Sequence, residues 1–281
     1  MKVYRDYTQA ELDAQYEQRT LVPDVASYIK GWAARTAAAK ADLRFHADTR
    51  YGDHADEALD LYRPENDAAP VLIFLHGGAW RLLSKDESGY LAPLFAKADV
   101  MTVAVNFSNA PAASLDTMAA QIRRAVAFLR GHVAEFGGDP ERIYLAGHSS
   151  GAHLAAMAAL EEPVAGVILV SGVYDLEPVR LSARNEYLHL DDAAAARNSP
   201  LHALRPGLPP AIVAWGGGEL DEFQRASRDC ATAWEAQGAP VEQVFIPENN
   251  HFDMGDAFAD PSSPLTRSML RMMGQKRRDT L

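Results

Sequence analysis

The sequence predicts a single doubly wound α/β domain on three observations. Short apolar runs alternate with helical stretches along most of the chain. The runs are near-continuous, as in parallel strands covered on both faces. No repeat, low-complexity segment or linker divides the 281 residues, so one domain accounts for them.

The buried runs are residues 71–75, 101–105, 143–146, 167–170, 211–215 and 243–246. Ahead of them, Leu59-Asp60-Leu61-Tyr62 alternates like a strand with one wetter face. Residues 43–46 are its expected partner at an antiparallel sheet edge. Helical stretches separate the runs. Residues 115–133 place Met118, Ile122, Ala125, Val126 and Leu129 on one stripe. Residues 152–160, rich in Ala, Leu and Met, read as a buried helix; 223–236 is amphipathic, and 264–273 closes the chain. Strands joined by helices imply βαβ units and a mostly parallel sheet with helices on both faces.

Residues 1–42 form a separate helical segment. Thr8 with Glu11 is a capping box. Asp24 then precedes Val25, Tyr28, Ile29 and Trp32, spaced along one helical face. These aromatics have no strand of their own to cover, so the segment is expected to pack on or over the core. Plain packing and a lid over a site are both open.

The formal net charge of −11 argues against a nucleic-acid or membrane partner, since phosphate and anionic lipid would repel the chain. A small neutral or weakly charged substrate suits it better. The single cysteine, Cys230, allows no intrachain disulfide and reads as a small buried residue. Residues 1–7 lack the apolar run of a signal peptide, and no apolar stretch approaches the roughly 18 residues that span a bilayer. The expectation is a cytoplasmic protein. Its oligomeric state, a homodimer included, is not legible.

Gly147-His148-Ser149-Ser150-Gly151 matches G-x-S-x-G. The bare pattern is weak, but it directly follows a predicted strand and opens a predicted helix, the setting of a nucleophile elbow. That turn holds its central residue in a strained conformation and excludes side chains at the flanking positions. The helix amino terminus at Ser149 favours developing negative charge. Ser149 is the candidate nucleophile.

His76-Gly77-Gly78-Ala79-Trp80 follows the strand at 71–75. A tetrahedral oxyanion needs donors placed before its charge appears, and paired glycines let backbone N–H groups approach it. Gly77 and Gly78, with the N–H of Ser150, are the candidate oxyanion hole; an ordinary tight turn is the alternative.

Serine also needs a base and an orienting acid. Of nine histidines, His46, His54, His132, His189 and His202 read as solvated. His76 buttresses the glycine turn, and His148 and His153 are expected to point away from the base position. His251, in a loop after the last strand, occupies the base position of the order Ser, acid, His. After the strand at 211–215 come Glu219, Asp221 and Glu222. Glu219 is first off the strand and leads; Asp221 and Asp175 are alternatives. No His/Cys/Asp cluster has metal-ligand spacing, and no glycine loop fits a phosphate or dinucleotide, so neither metal nor cofactor is expected.

With these residues placed, the chain resembles the α/β-hydrolase esterases that carry an HGG oxyanion motif, and among them the arylformamidase (kynurenine formamidase) branch. The resemblance rests on His76 to Trp80 against H-G-G-x-W, on the elbow, and on Gly137-Gly138-Asp139-Pro140-Glu141-Arg142-Ile143. It also rests on Glu219 to Arg225, on Asn250-His251-Phe252-Asp253, and on residues 7–16 with Glu11-Leu12-Asp13. It implies an α/β-hydrolase fold with an eight-stranded sheet and places the acid on Glu219. It further implies hydrolysis of a small ester or amide, such as N-formylkynurenine or a related aryl formamide. A short-chain carboxylesterase and a non-catalytic binding protein of the same fold are the rival functions. Trp80, Phe107, Tyr174 and Phe252 are candidates for an apolar pocket wall, ordinary packing being the alternative for each.

Overall fold

A computed structural model describes residues 1–275. Eight strands form one sheet: β1 (Arg44–Arg50), β2 (Ala58–Arg63), β3 (Ala69–Leu75), β4 (Met101–Val105), β5 (Gly138–His148), β6 (Gly166–Val170), β7 (Ala211–Gly216) and β8 (Val241–Ile246). Their spatial order is β8-β7-β6-β5-β3-β4-β2-β1, with only β2 running against its neighbours. The helices are α1 (Gln9–Gln15), α2 (Val25–Asp42), α3 (Ala92–Lys97), α4 (Leu115–His132), α5 (Ser150–Ala159), α6 (Glu177–Leu181), α7 (Asn185–Leu188), α8 (Asp192–Arg197), α9 (Asp221–Glu235), α10 (His251–Asp256) and α11 (Pro264–Met272). A short antiparallel ribbon, Lys2–Tyr4 with Tyr7–Thr8, precedes α1.

The continuous apolar strands serve two cores because successive side chains leave opposite faces. On one face Val71, Ile73 and Leu75 of β3 join Val167 and Leu169 of β6, under α4, α5 and α9. On the other Leu72 and Phe74 join Ile168 and Val170, under Trp32 of α2, Phe95 of α3 and Met269 of α11. The segment before β1 straddles this division. Leu12 and Tyr16 pack into the first core and Trp32 into the second, so residues 17–24 cross from one face to the other.

The expected capping box forms, and Asp24 caps α2. Thr8 and Glu11 make a reciprocal capping box, and Asp24 accepts the N–H of Ser27 at 3.2 Å. The wetter face expected of Leu59-Asp60-Leu61-Tyr62 is absent. Asp60 and Tyr62 are fully buried because α2 covers them. Ala39 packs with Tyr62, and the ammonium groups of Lys40 and Lys85 pair with Asp60 at 3.0 and 3.1 Å.

Register aligns the carboxyl ends of the central strands. Leu75 pairs with Gly147, His148 with Val170, Val170 with Ala214, and Ile246 with Gly216. The loops leaving β3, β5, β6, β7 and β8 therefore meet at one edge, where open α/β sheets bind their ligands.

Candidate active site

Ser149 is the turn between β5 and α5, with φ 57° and ψ −122°, a strained conformation for a residue with a side chain. Its N–H donates to the Val170 carbonyl at 2.8 Å, tying the turn to β6. The elbow closes this tightly only with glycine at 151, where a Cβ would overlap the Leu75 carbonyl oxygen at the end of β3. The turn presents Ser149 Oγ to His251 Nε2 at 2.9 Å.

His251 is the first residue of α10 rather than part of a loop. Asn250 caps that helix, accepting the N–H groups of Phe252 and Asp253 while Asp253 accepts the Asn250 N–H. This fixes the imidazole one residue inside a rigid helix start. On the far side of the ring, Nδ1 lies 2.6 Å from Glu219 Oε1. The tautomer that satisfies both contacts carries its proton on Nδ1, donates to Glu219 and accepts from Ser149. The other carboxylate oxygen of Glu219 accepts from Ser171 Oγ at 2.9 Å and the Gly216 N–H at 2.8 Å. Serine, imidazole and carboxylate are all buried.

Neither alternative acid reaches the imidazole. Asp221 is exposed at the first position of α9, and the Asp175 carboxylate accepts the Glu177 N–H and faces His202. Ser171, which holds Glu219, went unnoticed in the sequence; its one signal is its place just off the end of β6.

His148 departs from expectation. Its ring lies 4.8 Å from that of His251, and its Nε2–H donates to the His251 carbonyl at 2.9 Å. The end of β5 meets the start of α10, where a Cβ on Gly255 would also stand 3.6 Å from the His148 ring. Burial, with His251 alongside, pushes the His148 pKa down to about 3, so it stays neutral next to that imidazole.

The glycine turn after β3 abuts the elbow. A Cβ on Gly77 would stand 3.1 Å from Ser149 Cβ. Gly78 has φ 103°, and any side chain there would overlap the Leu82 carbonyl oxygen. Its successors Ala79 and Trp80 also have positive φ, so the turn coils tightly beside the serine. Ser150 starts α5, where its N–H belongs to the helix's unpaired first turn. His76 stacks on Phe107 with ring centroids 4.3 Å apart, and its Nδ1–H donates to the Gly77 carbonyl at 2.8 Å.

A cavity of about 410 Å³ opens onto Ser149, His251, Gly77 and Gly78. Phe252 lines it. Trp80 does not: the coiled turn drives its indole inward, where Nε1–H donates to His153 at 3.1 Å and 1% of the residue remains exposed. Phe107 and Tyr174 are likewise in the core. The wall comes instead from Tyr16, Gln18, Ile29 and Trp32 of the amino-terminal segment and from Arg184 and Tyr187 around α7. Among the described residues no cluster could hold a metal ion and no helix is long and apolar enough to cross a membrane.

A nucleophile elbow, a carboxylate and an imidazole in the order 149, 219, 251 at the carboxyl edge of this sheet define an α/β-hydrolase. The BD-FAE family model matches residues 59–173. Over its whole length the chain is similar to kynurenine formamidases of Danio rerio, at 31% identity over 98% of this chain and 100% of the relative. The Salmo salar kynurenine formamidase is 33% identical with the same coverage. A solved candidate thioesterase from Silicibacter superposes with a TM-score of 0.80 at 26% identity, covering 92% of this chain and 98% of that one. The chain belongs to the kynurenine formamidase family of α/β-hydrolases and is a hydrolase of the ester and amide type.

Proposed function

We propose that the chain is an arylformamidase-like serine hydrolase working through an acyl-enzyme on Ser149, with N-formylkynurenine or a related aryl formamide as substrate. The observation that carries the mechanism is the relay Ser149–His251–Glu219 at 2.9 and 2.6 Å; full-length similarity to the fish formamidases supports the substrate class.

His251 Nε2 takes the hydroxyl proton as Ser149 Oγ bonds to the carbonyl carbon. The carbonyl π electrons move onto oxygen, and the N–H groups of Gly77, Gly78 and Ser150 hold the oxyanion. Glu219 stabilises the imidazolium through Nδ1–H. The intermediate collapses, the bond to the leaving nitrogen breaks, and His251 returns the proton to the departing amine. Water then attacks the acyl-enzyme with His251 as base again, releasing the acid and restoring Ser149. Uncharged His148 holds the His251 backbone without repelling this imidazolium.

The test pairs two assays. A p-nitrophenyl ester should give a nitrophenol burst that Ser149→Ala abolishes; a burst surviving in the variant would overturn the acyl-enzyme. N-formylkynurenine should exceed a short-chain ester in kcat/KM. An ester preference of orders of magnitude would assign the chain to carboxylesterase chemistry instead.

A further inference from the structure

We propose that Arg184, aided by Gln18, selects substrates that carry an anionic group, a carboxylate, at the end remote from the reacting carbonyl. The inference rests on the hydrolase reading above and extends it to specificity.

Arg184 lines the cavity that holds Ser149 and His251. It is half-buried, and its guanidinium lies over the rings of Tyr16 and Phe223, 5.3 and 5.7 Å from their centroids. One N–H donates to the Tyr16 carbonyl at 2.7 Å, yet it forms no ion pair among the described residues. Burial pulls its pKa down, and Tyr187, Tyr16 and the more distant Glu17 carboxylate, which forms no ion pair with it, offset this only in part. A guanidinium taken out of water without a counterion is costly, and its planar fork matches a carboxylate.

The acidic groups of the cavity are otherwise engaged or exposed. Glu17 is bound by Arg19 through two contacts of 2.6 Å, and Asp13 accepts the Ala183 N–H at 2.7 Å. Glu186 is exposed. Gln18 is the second observation. It lines the same cavity at 4% exposure, and neither atom of its amide has a hydrogen-bond partner. A buried unpaired amide is destabilising until something binds it. The cavity's ~410 Å³ accommodates an aryl group with a short charged arm.

The test uses two matched substrate pairs: 3-(4-formamidophenyl)propanoate against its carboxamide, and 3-(4-acetoxyphenyl)propanoate against its carboxamide. The enzyme should prefer the carboxylate at least tenfold in kcat/KM, mostly through KM. Arg184→Met should abolish that preference, Arg184→Lys should restore part of it, and Gln18→Leu should reduce it severalfold. An enzyme indifferent to the charge, or Arg184→Met lowering both members of a pair equally, would make Arg184 a strut for Tyr16 and overturn the proposal. Turnover of the esters alone would refute the formamide substrate while still reporting on Arg184.

Discussion

In the proposed relay Glu219 has both its oxygens committed: one to His251, the other to Ser171 and the Gly216 N–H. Glu219→Gln keeps the shape but removes the charge and can present an N–H to Nδ1, favouring the wrong tautomer. Its kcat should fall by roughly 10²–10⁴-fold, whereas Asp221→Asn, exposed at the start of α9, should stay within about twofold. Equal losses in steady-state assays would return the acid to open choice. The sequence made Ser149 and His251 legible through motif and chain order. Glu219 and Asp221 are two residues apart, and what separates them is where the backbone turns after β7, which residue types do not specify. Trp80 shows the same limit, since its direction follows from a run of positive φ that no propensity encodes.

The strap formed by α1, residues 17–24 and α2 couples the two cores to α10. Tyr28 donates its hydroxyl proton to Asp253 at 2.7 Å, and Trp32 Nε1–H donates to Asp256 at 2.8 Å, so α2 is bonded to the helix that begins with His251. Trp32 is 5% exposed and meets Tyr90 and His148 as well. Trp32→Ala should cost about 3–5 kcal/mol in urea unfolding and also lower kcat as α10 loosens. A loss under about 1 kcal/mol, in the range of surface substitutions, would mean that α2 merely lies on the core. The α2 helix was readable from Asp24 and its aromatic face. Its role as a cavity wall was not, because the other wall, around Arg184 and Tyr187, is more than 150 residues away in a stretch of short helices without a periodic signal.

For the whole molecule the sheet was the most legible feature, because parallel strands buried on both faces leave unbroken apolar runs, while burial of polar groups left no comparable trace. Three histidines are enclosed with the site. Burial holds His76 and His153 at about 4 and His148 at about 3, all below the ordinary 6.5. Each stays neutral in the fold until the pH reaches its lowered value, but takes up a proton near 6.5 once unfolded. Between these limits the unfolded chain binds up to three more protons, so stability rises with pH. It is fully present above 6.5 and is lost as pH falls toward 4. At about 1.4 kcal/mol per proton per pH unit, going from pH 7 to 5.5 should cost roughly 4 kcal/mol. Carboxylates held low by their partners, such as Glu57 beside Arg124 and Asp86 beside Lys40, lose their contribution only below about 4.5 and so fall outside this window. Urea unfolding across pH 5.5–7 should show this slope. His153→Gln, which can still pair with Trp80 and the Asn198 carbonyl, should flatten it by about a third. A slope that His153→Gln leaves intact would show that the acid sensitivity arises elsewhere than in the buried imidazoles.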